Sequence, residues 1–337
     1  MEKKIHDFGW GDTRGIRDIM SSYITRHGIL LKPQDLGAMG YPPHEGNAEL
    51  ISEVRNLIKD LTGHTYQYVL ITNGATHALN CYVSAKKTPD IDGLATNNLY
   101  FSFYPQIAEI HDLEHVKYDP DFDGIPRSNH IGIVDSPSNP LGIMSSKGLQ
   151  GERVVWDAAY HSPTYCGIER GGKLVCPDIR PKAEAMVGSL NKLTGINGLR
   201  VGWLATDKYN LYNAALYYAE SSLCGVSAPS QEYATRILKG IPLDSFYVDS
   251  KRLLDNNRTE LQRLNHLFGG QPIFPYGMFA LFEVDDNLQG LLRKAGVKTK
   301  PGKEIGDDER DSVRINLANS NSATKEMVDA ILKADKI

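Results

Sequence analysis

Lys192 lies three residues after Ser189 and eight before Arg200, in Ser189-Leu-Asn-Lys192-Leu-Thr-Gly-Ile-Asn-Gly198-Leu-Arg200-Val-Gly-Trp203. A lysine amine can capture an aldehyde covalently, whereas a hydroxyl and the rigid fork of a guanidinium suit a phosphate. The grouping therefore suits one small molecule that carries both functions. Upstream, Asn73-Gly74-Ala75-Thr76 breaks the apolar run Tyr68-Val-Leu-Ile71 and opens a helix. Backbone N–H groups at such a helix start, with the positive end of its dipole, add donors for the same anion.

Pyridoxal 5'-phosphate carries an aldehyde and a phosphate, and other segments agree with it. They are Trp156-Asp-Ala-Ala-Tyr-His-Ser-Pro-Thr-Tyr165, Gly225-Val-Ser-Ala-Pro-Ser-Gln231, Pro301-Gly-Lys-Glu-Ile-Gly306 and Val313-Arg-Ile-Asn316. From about residue 41 to 314 the chain resembles a class I/II aminotransferase of the fold-type I pyridoxal phosphate family. These segments are most similar to its tryptophan aminotransferase-related and alliinase branch.

The resemblance implies a role for each residue. Lys192 binds the cofactor and moves the substrate proton, while Asp157 keeps the pyridine nitrogen protonated so that the ring withdraws electrons. Tyr160 and Asn139, the latter in Ser136-Pro-Ser-Asn139-Pro-Leu-Gly142, flank the cofactor's 3'-oxygen. Gly74, Ala75, Thr76, Ser189 and Arg200 form the phosphate cup. Asn191 stands where the family usually has a serine, which puts one phosphate hydrogen bond in doubt. Tyr41, in Tyr41-Pro-Pro-His-Glu-Gly46, matches the pattern whose tyrosine reaches a partner subunit's phosphate, so a homodimer with shared sites is implied. Tyr104, in Phe103-Tyr104-Pro105, is the aromatic plate on the ring face, with Phe103 as the alternative register. Arg314 takes the substrate α-carboxylate, beside Asn139. Without the resemblance, Tyr104 reads as a core aromatic and Arg314 as half of a structural salt bridge. His111-Asp-Leu-Glu114-His115 has the spacing of a zinc-peptidase helix, but falls where the family has a surface helix; no metal is expected.

The elements that must position these residues are legible as periodicity. Leu50, Val54, Leu57, Ile58 and Leu61 mark an amphipathic helix over 48–61, and apolar strands follow at 68–71, 131–134, 154–156, 185–187 and 201–204. Short strands alternating with helices predict an α/β fold with a mostly parallel sheet, and such sheets bind ligands beyond their carboxyl ends. Gly74, Asp157 and Ser189 all stand there. The resemblance sharpens this to the fold-type I transferase fold, a large domain with a seven-stranded-type sheet between helices plus a smaller α+β domain. Residues 36–225 are assigned to the large cofactor-binding domain, and 1–35 with 226–337 to the small one. In the latter a strand over 279–284 and a helix over 323–334 are expected.

At 337 residues the chain can bury a sizeable core and build two lobes. Its net charge of -4, with Lys and Arg scattered, argues against a nucleic-acid partner. Cys81, Cys166, Cys176 and Cys224 lie far apart without a Cys-x-x-Cys pair, which argues against zinc and against a disulfide framework. The polar N-terminus and the lack of any run near ~18 apolar residues predict a soluble, cytoplasmic protein with no membrane span.

The function expected from the resemblance is an aminotransferase that moves an amino group from an L-amino acid to a 2-oxo acid by a ping-pong mechanism. Trp10, Tyr23 and Tyr165 hint at an aromatic or apolar substrate side chain. β-Elimination as in alliinases, or decarboxylation, would use the same cofactor, since a fold does not choose which bond breaks. Secreted alliinases carry a cysteine-rich N-terminal module, and its absence here tilts toward transamination. A non-catalytic sensor is a further reading; a transcriptional one needs a DNA-binding domain, for which about 40 residues before Tyr41 leave too little room.

Overall fold

The computed structural model describes residues 5–32, 35, 40–119, 122–144 and 147–336. In chain order the strands are β1 (His6–Asp7), β2 (Tyr68–Thr72), β3 (Gly93–Asn97), β4 (Glu114–Tyr118), β5 (His130–Asp135), β6 (Gly151–Asp157), β7 (Ile168–Arg170), β8 (Lys173–Val175), β9 (Ala183–Ser189), β10 (Gly202–Thr206), β11 (Phe279–Glu283), β12 (Val297–Lys298), β13 (Lys300–Pro301) and β14 (Ser312–Asn316). Seven of them form one sheet in the order β2-β10-β9-β6-β5-β3-β4. All its pairings are parallel except those of β10, which runs antiparallel to β2 and β9.

Helices cover both faces, so the central strands are apolar throughout and alternate between two cores. Val155, Ala185, Val187 and Leu204 face one core with the helices Gly74–Lys86 and Tyr209–Leu223. Val154, Trp156, Met186 and Trp203 face the other, which the helices Ala48–Thr62 and Leu243–Gln262 complete. The helix Ala48–Thr62 buries the expected stripe of Leu50, Val54, Leu57, Ile58 and Leu61. Its first turn is satisfied by the Asn47 side chain, which accepts from the Glu49 N–H at 2.8 Å, and it ends at Gly63 in the left-handed region.

A second, antiparallel sheet has the order β11-β14-β13. The N-terminal segment docks beside it: β1 pairs with β12, and the Asn316 N–H donates to the Phe8 carbonyl. The helix Asn321–Asp335 closes the chain.

Two expectations need correction. The strand expected over 201–204 is β10, which starts one residue and ends two residues later. No surface helix carries His111 and His115: the first caps the helix Tyr104–Ile110, and the second lies in β4. Their rings serve separate partners, His111 Nε2 with Asn80 Oδ1 at 3.0 Å and His115 Nε2 with Thr96 Oγ1 at 2.9 Å. Among the described residues no helix is long and apolar enough to cross a membrane.

Candidate active site

The carboxyl ends of β2, β5, β6 and β9 open onto a cavity of about 1030 Å³. Ala75, Thr76, Tyr104, Asn139, Asp157, Tyr160, Ser189, Lys192, Arg200 and Arg314 all line it. Trp10, Gly11 and Asp12 close it from the N-terminal segment. Gly74 abuts Arg200 at its edge, whereas Tyr41 stands apart at 95% exposure.

Lys192 lies in the short helix Leu190–Thr194, which Ser189 caps as the last residue of β9. The Lys192 Nζ donates to the Gly11 carbonyl, and the Tyr165 hydroxyl donates to the Lys192 carbonyl at 2.7 Å. Burial lowers the amine's pKa to about 8; Asp12 opposes this, and Arg314 and Arg200 add to it.

The phosphate-type subsite is built from chain reversals. Arg200 adopts φ 52° after a 3-10 turn, which sends its Nη2 to the Asn73 carbonyl at 3.0 Å. Gly74 has φ 80°, and a Cβ there would come within 2.7 Å of Arg200 Nη2, so only glycine fits. Ser189 Oγ accepts from the Asn191 N–H at 3.2 Å, leaving its own proton to donate. Asn191 uses Oδ1 to accept from the Val201 N–H at 3.1 Å and turns Nδ2 toward Gly74, so an amide donor faces the place where the family's serine would act.

Asp157 ends β6 and is buried. Its Oδ1 accepts from the Ala159 N–H at 3.0 Å and its Oδ2 from the Tyr104 hydroxyl at 2.9 Å. Burial raises its pKa despite both bonds. The Tyr104 contact was not foreseen. Phe103, the alternative register, is half exposed and meets Phe101 at a tilt.

Asp135, also absent from the sequence reading, ends β5 as Asp157 ends β6. Its Oδ2 accepts from the Asn139 N–H at 2.7 Å, and burial, with Asp157 nearby, pushes its pKa up to about 7. The shared strand-end position was the available signal.

Arg314 projects from β14, 4% exposed, with Nη1 on Asn139 Oδ1 at 2.9 Å, Nη2 on the Gly9 carbonyl at 3.0 Å and its carbon 3.9 Å above the Phe279 ring. Burial lowers its pKa to about 10. No carboxylate lies within ion-pair distance among the described residues, so the salt-bridge reading falls away. Two side chains named as pocket candidates lie elsewhere. Tyr23 donates to Asp249 Oδ2 at 2.9 Å between helices, and Tyr165 supports the lysine backbone from behind.

Residues 47–266 match a family model, Alliinase_C, described as allinase. The chain belongs to this family. Tryptophan aminotransferase-related protein 3 of Arabidopsis thaliana is 27% identical over 57% of this chain, a match that spans 42% of that relative's own length. Alliin lyase of Allium cepa var. aggregatum is 28% identical over 33% of the chain and 23% of the enzyme. In fold the chain is similar to an aromatic aminotransferase from Pyrococcus horikoshii OT3, with TM-score 0.78, 16% identity, and coverage of 98% of this chain and 96% of that one. The fold is thus fold-type I, and aminotransferases and alliinases of that type use pyridoxal phosphate. The residues present fit that cofactor. Asn139 Nδ2 and Arg314 Nε are buried donors without partners among the described residues, the buried Asp157 carboxyl is hydrogen-bonded by neutral groups, and the Arg200 guanidinium lies against the helix start at Gly74.

Proposed function

We propose that this chain is a pyridoxal phosphate-dependent aminotransferase that moves an amino group from an L-amino acid to a 2-oxo acid by a ping-pong mechanism. The observation that carries the reading is Arg314. A buried guanidinium held only by neutral oxygens, with its Nε unpartnered, is costly unless an anion completes it. The α-carboxylate of an amino acid, arriving within reach of Lys192, is such an anion.

When bound, the cofactor supplies an electron sink for the substrate carbanion. Lys192 would hold its aldehyde carbon, and the lysine amine, once free and neutral, would carry the proton at the substrate Cα. Asp157 holds the ring nitrogen's proton, and Tyr104 fixes the carboxylate that does so. Asn139 Nδ2 and the Tyr160 hydroxyl donate to the 3'-oxygen. Ser189, Arg200 and the Ala75 and Thr76 N–H groups hold the phosphate. Tyr41, exposed on its own chain, reaches the phosphate of a second copy, making the active unit a cytoplasmic homodimer. Residues 36–225 form the large domain and 1–35 with 226–337 the small one, with the cavity between them.

A half-reaction screen tests the reading. Each amino acid is added to the loaded protein without an oxo-acid acceptor, the cofactor's absorbance is followed, and products are identified by mass spectrometry. Stoichiometric 2-oxo acid, with the amine retained on the cofactor, is expected. Family membership and the alliin lyase similarity favour β-elimination as the second reading. Catalytic release of pyruvate and ammonia from a β-substituted amino acid would replace the first reading with the second.

A further inference from the structure

Behind the Tyr160 side of the cavity, three soft-donor side chains meet. His161 follows Tyr160, Cys166 ends the helix Pro163–Cys166, and Cys176 follows β8. The hairpin of β7 and β8 turns through Gly171 and Gly172, both at positive φ, and so returns Cys176 to Cys166. The two sulfurs are 3.7 Å apart, Cys166 Sγ is 3.9 Å from His161 Nδ1, and all three donor atoms lie within 4.8 Å of one another. Zinc bonds of about 2.3 Å to sulfur and about 2.0 Å to nitrogen give tetrahedral edges of roughly 3.5 to 3.8 Å, close to the two short separations.

The histidine is already oriented for ligation. His161 Nε2 meets the Leu61 carbonyl at 3.2 Å and must donate there, so the neutral ring keeps the Nδ1 lone pair toward the sulfurs. The Trp156 ring packs edge-on against it, with ring centroids 4.7 Å apart. The Tyr247 hydroxyl is buried with no partner among the described residues. A disulfide would use the two sulfurs and leave Nδ1 facing them unpaired, whereas a metal ion satisfies all three donors.

We propose that His161, Cys166 and Cys176 form a metal site that binds Zn²⁺ through Nδ1 and two thiolates, with the fourth position open to water. Binding releases the two thiol protons to solvent and changes no oxidation state. The ion pins the β7–β8 hairpin to the segment carrying Tyr160 and Tyr165, and Tyr165 in turn holds the Lys192 carbonyl. The expectation of no metal rested on the spacing of the cysteines in sequence, which the hairpin closes.

The test is metal analysis of the full chain purified under reductant from zinc-supplemented cells, followed by exchange with Co²⁺. Equimolar zinc is expected, as is a thiolate-to-cobalt charge-transfer band in the exchanged protein. Both should be lost in Cys176→Ser and weakened at least tenfold in affinity in His161→Asn, while cofactor absorbance persists. If the variants fail to fold, thiol titration of the wild-type chain decides: two thiols should become reactive on adding a chelator. Zinc-free protein that takes up neither ion, or a Cys166–Cys176 disulfide found by non-reducing peptide mapping, would overturn the proposal. Cofactor uptake is measured separately, so this failure is distinct from failure of the aminotransferase reading.

Discussion

Asn139 Oδ1 accepts from Arg314 Nη1 at 2.9 Å, while Asn139 Nδ2 is buried with no partner among the described residues. Arginine only donates, so the contact fixes which way the amide points: its oxygen toward Arg314, its N–H groups free. One residue on the loop after β5 thereby answers two needs. It steadies the cation on β14 that would receive the substrate, and its N–H groups are the donors that would serve the cofactor's 3'-oxygen in the proposed reading.

Asn139→Asp should therefore be worse than Asn139→Ala for amino-acid binding. The new carboxylate would pair with Arg314 and compete with the substrate's own carboxylate, whereas alanine leaves the guanidinium available. Substrate titrations of both variants, followed by cofactor absorbance, should show weaker binding in the aspartate form. The reverse order would mean that Arg314 is not the carboxylate site.

Arg314→Ala should weaken amino-acid affinity by about 1.5 to 3 kcal/mol, roughly 10- to 150-fold, the range of a hydrogen bond to a charged group. The absorbance of the bound cofactor should stay as in the wild type. Unchanged affinity would assign the residue to structure.

Cofactor uptake by the apoprotein should depend on the protonation of Lys192. Its pKa is lowered to about 8, chiefly by burial, and only the neutral amine attacks an aldehyde. The association rate should climb roughly tenfold per pH unit well below that value and level off above it. A rate that keeps climbing toward the ordinary lysine value of 10.5 would show that the buried environment does not tune this amine.

Tyr41 is 95% exposed, and the shared-site reading makes it a group for a second copy. Mixing a Tyr41→Phe chain with a Lys192→Ala chain should restore activity above either parent, because one site of each mixed dimer then carries neither defect. No gain on mixing, or a monomer by light scattering, would leave Tyr41 without a role in a partner's site.

Local periodicity determined much of the fold. The stripe of Leu50 to Leu61 reports a helix because side-chain direction repeats every 3.6 residues, and the short continuous apolar runs ending near Asp157 and Ser189 report strands buried on both faces. β3 and β4 escaped that test. Gly93-Leu-Ala-Thr-Asn is small and weakly patterned, and Glu114-His-Val-Lys-Tyr is a half-polar edge strand, so both gain strand structure from pairing.

The residue types at the cavity were likewise set by sequence: a glycine turn, a strand-end carboxylate, an amine and two arginines in order along the chain. Tertiary structure alone decided which atoms meet. It put the Tyr104 hydroxyl on Asp157, added Asp135, left Arg314 without a carboxylate among the described residues, and brought Cys166 and Cys176 to 3.7 Å. The Tyr104–Asp157 and Asn139–Arg314 contacts join segments distant in sequence, and the approach of the two cysteines depends on the hairpin between them. Their distances follow from how strands and helices pack, and no local pattern encodes them.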